Sequence, residues 1–334
     1  MPNIRVVHFG LGPIGAAIAK QIAHRPGFKI VGGIDIDPAK IGRDLGDVVG
    51  LPKRIGVKVS GDAARALKSA KPDVVMLCTA SSLKDVMPQI ETILKSKTPI
   101  VSTTEELSYP GYTHIKQARQ IHKWAKKAKV GVLGTGVNPG FAMDALPIAL
   151  TAVCERVERV TVTRVQDARI RRLPFQQKIG AGLTTEQFQR KVDDGSVRHV
   201  GLTESIAMIA DALGWSLDRI TDEIEPKLAS VTVSSEFLAV DPGYVCGIVQ
   251  DGVGFRKGEP LIKLHMEAYL GSPETYDSVE IEGSPSLSMK IPGGIHGDVA
   301  TASIAVNSIP KVLRAAPGLH TMRDLTLPSF FPGD

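Results

Sequence analysis

The chain has 334 residues, of which 43% are hydrophobic and 22% charged, and its formal net charge is +5. This composition is typical of a globular protein with room for two domains, and it excludes a disordered or fibrous chain. The basic residues are scattered and no apolar run reaches membrane-spanning length, so we expect neither a nucleic-acid partner nor a membrane.

The first predicted strand, residues 4–9, leads into a glycine-rich turn with the spacing G-x-G-x-x-G and then into a predicted helix. In such a turn the first glycine permits the sharp bend, the second lets a pyrophosphate approach the backbone, and the third lets the helix pack closely on the sheet. The N–H groups at the start of the helix attract phosphates, and a proline there costs no hydrogen bond. The stretch predicts a dinucleotide site that contains Gly10, Gly12, Pro13, Ile14 and Gly15.

A second predicted strand, residues 29–34, ends at Asp35. An acid at this point accepts hydrogen bonds from the adenosine ribose hydroxyls, and it favours NAD because a carboxylate repels a 2′-phosphate. Lys40 and Arg43 are close enough in sequence to neutralise such a phosphate if they turn inward, but they are equally well explained as solvated surface charges. The predicted cofactor is therefore NAD or NADP, with the preference open.

Two further buried strands are predicted at residues 73–78 and 99–104, and small polar residues occupy their carboxyl ends. Ligands of open α/β sheets bind at these ends. The cofactor contacts predicted there are Thr79, Ala80, Ser81 and Thr104. We interpret Cys78 as a core residue, because buried strand cysteines are far more often structural than reactive.

Two acids, Glu105 and Glu106, come directly after the second of these strands. Carboxylates favour the first turn of a helix, but Tyr109, Pro110 and Gly111 interrupt any helix at once, so this role explains only part of the pattern. An acid here would lie where the nicotinamide end of the cofactor should reach. We predict a functional acid and favour Glu105, next to the strand end, over Glu106.

A strand at residues 130–134 is followed by a glycine-rich turn and a helix that Pro139 is predicted to open. Asn138 in this turn both donates and accepts hydrogen bonds, which suits a nicotinamide carboxamide. An N-cap role explains Asn138 equally well.

The pattern changes near residue 141, where strands with one polar face become frequent. We predict strands at residues 157–165, 228–233, 245–256, 261–269 and 277–282, with helices at residues 185–193 and 202–213. A last helix, residues 299–315, has Asp298 as its predicted N-cap.

The fold class predicted from these elements is α/β: a Rossmann-type, doubly wound parallel sheet, plus an α+β second domain with a mostly antiparallel sheet. Residues 1–140, completed by a C-terminal helix within 298–334, are assigned to dinucleotide binding. Residues 141–297 are assigned to substrate binding and dimerisation.

The three cysteines, Cys78, Cys154 and Cys246, are far apart in the sequence. Their odd number favours reduced thiols and a cytoplasmic protein over a disulfide framework, and the N-terminus lacks the regions of a signal peptide. No group of histidines, cysteines and carboxylates has the spacing of metal ligands, so no metal site is predicted.

Four stretches, residues 102–110, 134–141, 174–180 and 292–298, give the chain a family likeness over nearly its whole length. The chain resembles the 2,4-diaminopentanoate dehydrogenases and the related native NAD(P)-dependent amine dehydrogenases, whose fold is similar to that of dihydrodipicolinate reductase. The resemblance implies reversible oxidative deamination of a small amine or diamine, or reductive amination of a ketone or aldehyde with ammonia. It implies that Glu105, with Glu106 as the fallback, holds the amine.

Two other activities remain as alternatives. A dihydrodipicolinate reductase-like imine reductase or another carbonyl oxidoreductase would use the same fold, but the paired histidines of dihydrodipicolinate reductases are missing from this sequence. A non-catalytic NAD(P) sensor would bind the cofactor without turnover.

Weaker candidates for the substrate pocket are Phe141, Gln177, His199 and His265. Arg169, Arg171 and Arg172 precede a Leu-Pro pair, where one of them would meet a carboxylate or line a dimer surface. By analogy with two-domain dehydrogenases that pair through such sheets, we expect a homodimer.

Overall fold

Two units are distinguished in the computed structural model, which describes residues 3–332. Unit 1 runs to Phe141 and resumes at His296, and unit 2 is Ala142–Ile295. The strands are β1 (Ile4–Phe9), β2 (Phe28–Ile34), β3 (Val59–Ser60), β4 (Val74–Leu77), β5 (Ile100–Ser102), β6 (Gly131–Gly134), β7 (Arg156–Asp167), β8 (Arg219–Leu228), β9 (Val233–Ser234), β10 (Ala239–Val240), β11 (Val245–Arg256), β12 (Glu259–Tyr269), β13 (Tyr276–Ser284), β14 (Leu287–Pro292) and β15 (Gly318–His320). The helices are α1 (Pro13–His24), α2 (Leu45–Val49), α3 (Ala63–Ala70), α4 (Leu83–Lys95), α5 (Ile115–Ala128), α6 (Ala145–Leu150), α7 (Leu173–Lys178), α8 (Thr185–Asp193), α9 (Leu202–Ala212) and α10 (Gly297–Leu313).

Unit 1 is built on a parallel sheet with the strand order β15-β6-β5-β4-β1-β2-β3. Its central strands are buried throughout, as their unbroken apolar sequences require when helices cover both faces. Side chains of α3, α4 and α5 share a core with one face, while α1 and α10 pack against the other. The carboxyl ends of β1, β2, β4, β5 and β6 meet at one edge, which brings their following loops together.

Unit 2 is built on a sheet with the order β14-β13-β7-β12-β11-β8, in which only β7 and β12 pair in parallel. Helix α9 packs on one face of this sheet, against β8, β11 and β12. The predicted fold class, a doubly wound parallel sheet plus a mostly antiparallel second sheet, is confirmed.

One strand of unit 2 is wrongly placed by the sequence prediction. Residues 228–233 do not form the expected strand; the strand lies before them, at β8. Its sequence, RITDEIEPKL, carries charges and a proline, which conceal the alternation but suit a strand at the edge of a sheet.

Two helix starts also differ from the prediction. Residues 139–144 form turns, so Pro139 does not open a helix; α6 begins at Ala145, whose N–H donates to Asp144 Oδ1 (2.6 Å). Asp298 is not the N-cap of α10, because His296 takes that position and its Nδ1 accepts from the Val299 N–H (3.5 Å). Asp298 instead lies in the first turn, where a negative charge is favourable.

The C-terminal helix is also shorter than predicted. It ends at Leu313, shortly before Pro317, which lacks the N–H that a continuing helix needs. The chain then adds β15 to the parallel sheet beside β6.

His8 is a fully buried residue of β1. Val7 and Phe9 enter the core on the α3–α5 side, so alternation along the strand places His8 on the opposite side, which α1 and α10 cover. Neither ring nitrogen has a hydrogen-bond partner among the described residues. Burial lowers the pKa of His8 to about 3, so the ring is neutral at physiological pH.

We expect His8→Leu to make the protein less sensitive to acid. The unfolded chain binds a proton at His8 below about pH 6.5, whereas the folded chain does not bind it until about pH 3. Stability is therefore lost as the pH falls through this window, and the parent should lose about 2 kcal/mol more than the variant between pH 7 and pH 5. Urea unfolding at both pH values measures this difference, with the same substitution at the exposed His24 as control. Equal pH dependence in the parent and His8→Leu would contradict the expectation.

Candidate active site

The glycine-rich turn after β1 contains two glycines that the fold itself requires. Gly10 has a φ of +94°, and a Cβ there would lie 2.6 Å from the carbonyl oxygen of Cys78. A Cβ at Gly15 would lie 2.0 Å from the carbonyl oxygen of Gly10. These contacts fix the bend and hold α1 close to the sheet.

Gly12 differs from the other two glycines of the motif. Its φ of −70° and ψ of −175° are accessible to any residue, and a Cβ there would meet nothing within 4 Å. It is the N-cap of α1, where no side chain caps the helix and no acid lies in the first turn. The turn thus leaves space and a positive dipole end for an anion, which fits the pyrophosphate of a dinucleotide.

Asp35 follows β2 and is buried. Its Oδ2 accepts from the Leu11 N–H (2.8 Å) and lies 3.1 Å from Lys40 Nζ, and its Oδ1 accepts from the Asp37 N–H (3.0 Å). Burial acts to raise the pKa of Asp35, but the two backbone N–H groups and the Lys40 ammonium outweigh it and hold the pKa below its ordinary value. The carboxylate is ionised, and Oδ1 keeps room for a further donor such as a ribose hydroxyl.

The residues around Asp35 sharpen the sequence prediction. Lys40 turns inward, to Asp35 and to Asp37 (3.6 Å), whereas Arg43 is exposed. Ile36, which the sequence analysis passed over, is 87% exposed beside Asp35 and offers an apolar surface to an adenine ring. The position of an isoleucine directly after the acid could have indicated this surface from the sequence.

The loops after β4, β5 and β6 present a mixture of exposed and buried groups. Thr79 and Ser81 are exposed, and the Thr79 hydroxyl donates to Gln89 Oε1 (2.6 Å). Thr104 is fully buried and its hydroxyl accepts from the Ser102 hydroxyl (3.0 Å), so it supports the end of β5 and does not face an open site. Asn138 is 9% exposed.

The two acids after β5 have different surroundings. They begin a short 3-10 helix, Glu105–Leu107, and both are half-buried. Glu106 Oε2 accepts from the Leu83 N–H at the start of α4 (2.6 Å) and lies 3.3 Å from His114 Nε2. The carboxylate of Glu106 therefore holds the start of α4 and the residue before α5 together. Glu105, which the sequence favours, stays the candidate for chemistry.

Unit 2 contains a buried ion pair that the sequence analysis missed. Arg164 is 2% exposed, and its Nη1 lies 2.5 Å from Asp277 Oδ1. Arg164 Nη2 also donates to the carbonyl of Ile295 (2.7 Å), and the Ile295 N–H donates to Asp277 Oδ2 (2.7 Å). Val160 and Val162 are buried while Thr161 and Thr163 are not, so the alternation of β7 places Arg164 on the buried face. That alternation could have indicated the buried arginine from the sequence.

His199 lies among four cations of unit 2. Burial first, and then the charges of Lys178, Arg164, Arg171 and Arg198, lower the pKa of His199 well below its ordinary value, so the ring is neutral. We name these residues the basic cluster: Arg164, Arg171, Lys178, Arg198 and His199. Among the described residues, His199 Nδ1 and Arg198 Nε have no hydrogen-bond partner. Buried polar atoms of this kind are unusual unless a ligand or water completes them.

The backbone of His199 is held by Gln250. The His199 N–H donates to Gln250 Oε1 (2.9 Å), and Gln250 Nε2 donates to the His199 carbonyl (3.1 Å) and to Asp222 Oδ1 (2.8 Å). Burial raises the pKa of Asp222.

The other predicted pocket residues have their own surroundings. His265 pairs across the sheet with Asp251, on the opposite face from Gln250, and its ring lies between Asp251 Oδ1 (2.9 Å) and Glu267 Oε1 (3.1 Å). Gln177 is exposed on α7, whereas its neighbour Gln176 is buried. Phe141, at the end of the first segment of unit 1, is half-buried.

Within residues 3–332 no three histidines, cysteines or carboxylates are grouped so that they would hold a metal ion. No helix in this part of the chain is long and apolar enough to cross a membrane.

Two family models match the chain. The model of the 2,4-diaminopentanoate dehydrogenase C-terminal domain matches residues 141–334, and that of the dihydrodipicolinate reductase N-terminus matches residues 4–133.

Individual proteins are similar over the whole length. A 2,4-diaminopentanoate dehydrogenase of Acetoanaerobium sticklandii is 34% identical over 341 residues, covering 100% of this chain and 96% of the relative. An amine dehydrogenase of Streptomyces virginiae is 24% identical, covering 97% and 96%. A solved amine dehydrogenase from Mycobacterium smegmatis superposes with a TM-score of 0.88 at 26% identity, covering 98% of each chain. A dihydrodipicolinate reductase from Paenisporosarcina sp. TG-14, at 16% identity and a TM-score of 0.55 over 96% and 97%, shares the fold.

Proposed function

The chain belongs to the 2,4-diaminopentanoate dehydrogenase family, and from this premise we propose that it catalyses the reversible, NAD(P)-dependent oxidative deamination of a small amine. One observation carries the proposal. Gly12 leaves space for a pyrophosphate at the uncapped start of α1, and Glu105 follows β5 at the same edge of the parallel sheet, with only β4 between β5 and β1. A dinucleotide bound at this edge extends along the strand ends toward the acid.

The cofactor would be held by unit 1. The N–H groups at the start of α1 would bind the pyrophosphate, Asp35 the adenosine ribose, and Ile36 the adenine ring. Thr79, Ala80 and Ser81 would line the path toward Glu105. When bound, the oxidised nicotinamide supplies the acceptor for a hydride.

Glu105 would act on the nitrogen of the substrate. Its carboxylate binds the substrate ammonium, accepts a proton from it and so leaves a neutral amine, whose carbon can release a hydride. Once Glu105 has passed this proton on to water, its carboxylate is negative again and stabilises the iminium cation that forms on the substrate. Water adds to the iminium carbon and ammonia leaves. In the reverse direction, Glu105 holds ammonia for addition to the carbonyl and protonates the amine product.

Oxidation of NADH and NADPH with short ketones and aldehydes, with and without ammonium, tests the proposal. Oxidation that requires ammonium supports amine dehydrogenase activity. Oxidation without ammonium would replace it with a carbonyl or imine reductase. Cofactor binding without any turnover would indicate a non-catalytic sensor instead.

The basic cluster of unit 2 supports a substrate that carries a carboxylate. Four cations act on the neutral His199, and Arg198 Nε and His199 Nδ1 lack a partner among the described residues. The name of the relative from Acetoanaerobium sticklandii specifies a carboxylate. A carboxylate would accept hydrogen bonds from the cluster.

We expect Arg198→Gln to weaken the use of a keto acid selectively. A charge-assisted hydrogen bond contributes about 1.5–3 kcal/mol, so the KM of a keto acid should rise about tenfold to a hundredfold. The KM of an uncharged ketone of equal chain length should change less than about twofold, since it makes no such bond. Initial rates with both substrates measure the effect, and Arg190→Gln, on the exposed face of α8, is the matched control. Equal loss for both substrates would contradict carboxylate binding by the cluster.

A homodimer is also part of the proposal. One face of β12 is partly exposed and carries charged and aromatic side chains. These side chains alternate with the buried positions of the strand: Lys263, His265, Glu267 and Tyr269. Such a mixed face suits a two-fold interface, in which the same patch meets itself. Sedimentation of the full chain at the mass of a single copy, 35.7 kDa, would contradict it.

A further inference from the structure

The second acid of the pair, Glu106, ties together three segments around Glu105. Its N–H donates to the Ser81 carbonyl (3.2 Å), and its Oε2 accepts from the Leu83 N–H (2.6 Å). The backbone and the side chain of Glu106 therefore both make hydrogen bonds to the loop after β4, one on each side of Ser82. The same Oε2 lies 3.3 Å from Nε2 of His114, the residue just before α5.

The start of α4 depends on this outside carboxylate. Ser82 occupies the N-cap position, but its side chain makes no capping hydrogen bond. Glu106 supplies the acceptor that Ser82 does not, and it places a negative charge at the positive end of the helix dipole. Loss of this acceptor would free the loop that carries Thr79, Ala80 and Ser81.

The 3-10 helix that bears Glu105 is also held from its other side. Leu107 is fully buried, and a Cβ at Gly134 of β6 would lie 2.3 Å from the Leu107 carbonyl oxygen. The Ser108 N–H donates to the carbonyl of Glu105 (3.1 Å). The backbone of Glu105 is thus fixed between β6 and the bonds of Glu106.

We propose that Glu106, with His114, is a positioning residue that fixes Glu105 and the Thr79–Ser82 loop in one arrangement and takes no part in proton transfer. The proposal rests on the proposed function for the role of Glu105. Two adjacent acids then have different roles: Glu105 acts on the substrate nitrogen, and Glu106 keeps Glu105 and the loop in place. The proposal also implies that the acid and the cofactor loop are disturbed together when Glu106 is removed.

Two substitutions at Glu106 separate these roles. Glu106→Gln keeps an oxygen that can accept from the Leu83 N–H, so its kcat should stay within about threefold of the parent. Glu106→Ala removes the acceptor, so kcat should fall at least about tenfold, because small misplacements of a catalytic group have large effects on rate. The KM and Kd for the cofactor should rise several-fold in Glu106→Ala only, since the bond of the Glu106 side chain to Leu83 is then lost and only the bond of its backbone to Ser81 remains. Glu91→Ala, at a partly exposed glutamate of α4 that pairs with Lys95, is the matched control and should change none of these values.

The measurements are steady-state rates at saturating substrates, and cofactor Kd by quenching of protein fluorescence, both on the full chain well below its unfolding temperature. If Glu106→Gln is as inactive as Glu105→Gln, Glu106 takes part in the chemistry and the proposal is wrong. If Glu106→Ala keeps the parental kcat and Kd, its bonds do not position the site and the proposal is also wrong. If the parent itself shows no ammonium-dependent turnover, the proposed function fails, while the Kd values of the two variants still test the coupling of Glu106 to the loop.

Discussion

Glu105→Gln is expected to abolish most turnover in both directions while leaving cofactor binding intact. The amide cannot accept the proton of the substrate ammonium and has no charge with which to stabilise the iminium. General base catalysis contributes about 10²–10⁴-fold, so kcat should fall by at least about a hundredfold. Stopped assays of deamination and of reductive amination measure the loss, and fluorescence titration with NADH measures the retained affinity.

The matched control for this substitution is Glu91→Gln, which makes the same change at a partly exposed glutamate of α4 paired with Lys95. It should retain the parental rates in both directions. Full turnover by Glu105→Gln in either direction would show that another group handles the proton, and the assignment of Glu105 would have to be abandoned.

Gly12→Val is expected to give a folded protein that no longer binds the dinucleotide. A Cβ at this position meets no atom of the chain within 4 Å, and the backbone conformation is open to any residue, so the free energy of unfolding should change by less than about 1 kcal/mol. The added methyl groups occupy the space through which a pyrophosphate would approach the start of α1. Loss of those hydrogen bonds should raise the cofactor Kd about a hundredfold or more.

Gly15→Ala provides the contrasting case. Its Cβ would lie 2.0 Å from the Gly10 carbonyl oxygen, so α1 would have to move and the melting temperature should fall clearly. Thermal unfolding and cofactor titration of both variants therefore separate a glycine needed by the ligand from one needed by the fold. Parental cofactor affinity in folded Gly12→Val would mean that the pyrophosphate does not lie at this turn.

The fold was largely predictable because its signals are local and repeated. The buried strands of unit 1 are short apolar runs, and the limits of α8 coincide with the predicted ones. The family inferred from four motifs is confirmed by the comparisons. The prediction was wrong where tertiary position overrides local pattern: β8 is a charged edge strand, and the start of α10 is set by His296 rather than by the better N-cap residue Asp298.

The candidate site was less predictable, since its residues interact across long separations in sequence. Locally, Glu105 differs from Glu106 only by lying next to the strand end; the structural role of Glu106 follows from its contact with Leu83, 23 positions away. The environment of His199 depends on Arg164, Arg171 and Gln250, which the chain brings together only by folding. The burial of Arg164 could have been predicted, because Arg164 lies an even number of residues from Val160 and Val162 and so on the same face of β7. An arginine on a strand is ordinarily assumed to face water, however.

The ion pair between Lys40 and Asp35 bears on how the protein distinguishes its two possible cofactors. A 2′-phosphate would have to take Lys40 from Asp35 and Asp37, so binding NADP exchanges one set of ionic partners for another and does not simply add one. In such an exchange, dissolved salt weakens the pair that is lost as well as the pair that is gained. The ratio of the two cofactor affinities should therefore vary much less with ionic strength than either affinity alone, and the discrimination between NAD and NADP would hold across cells of very different salt content.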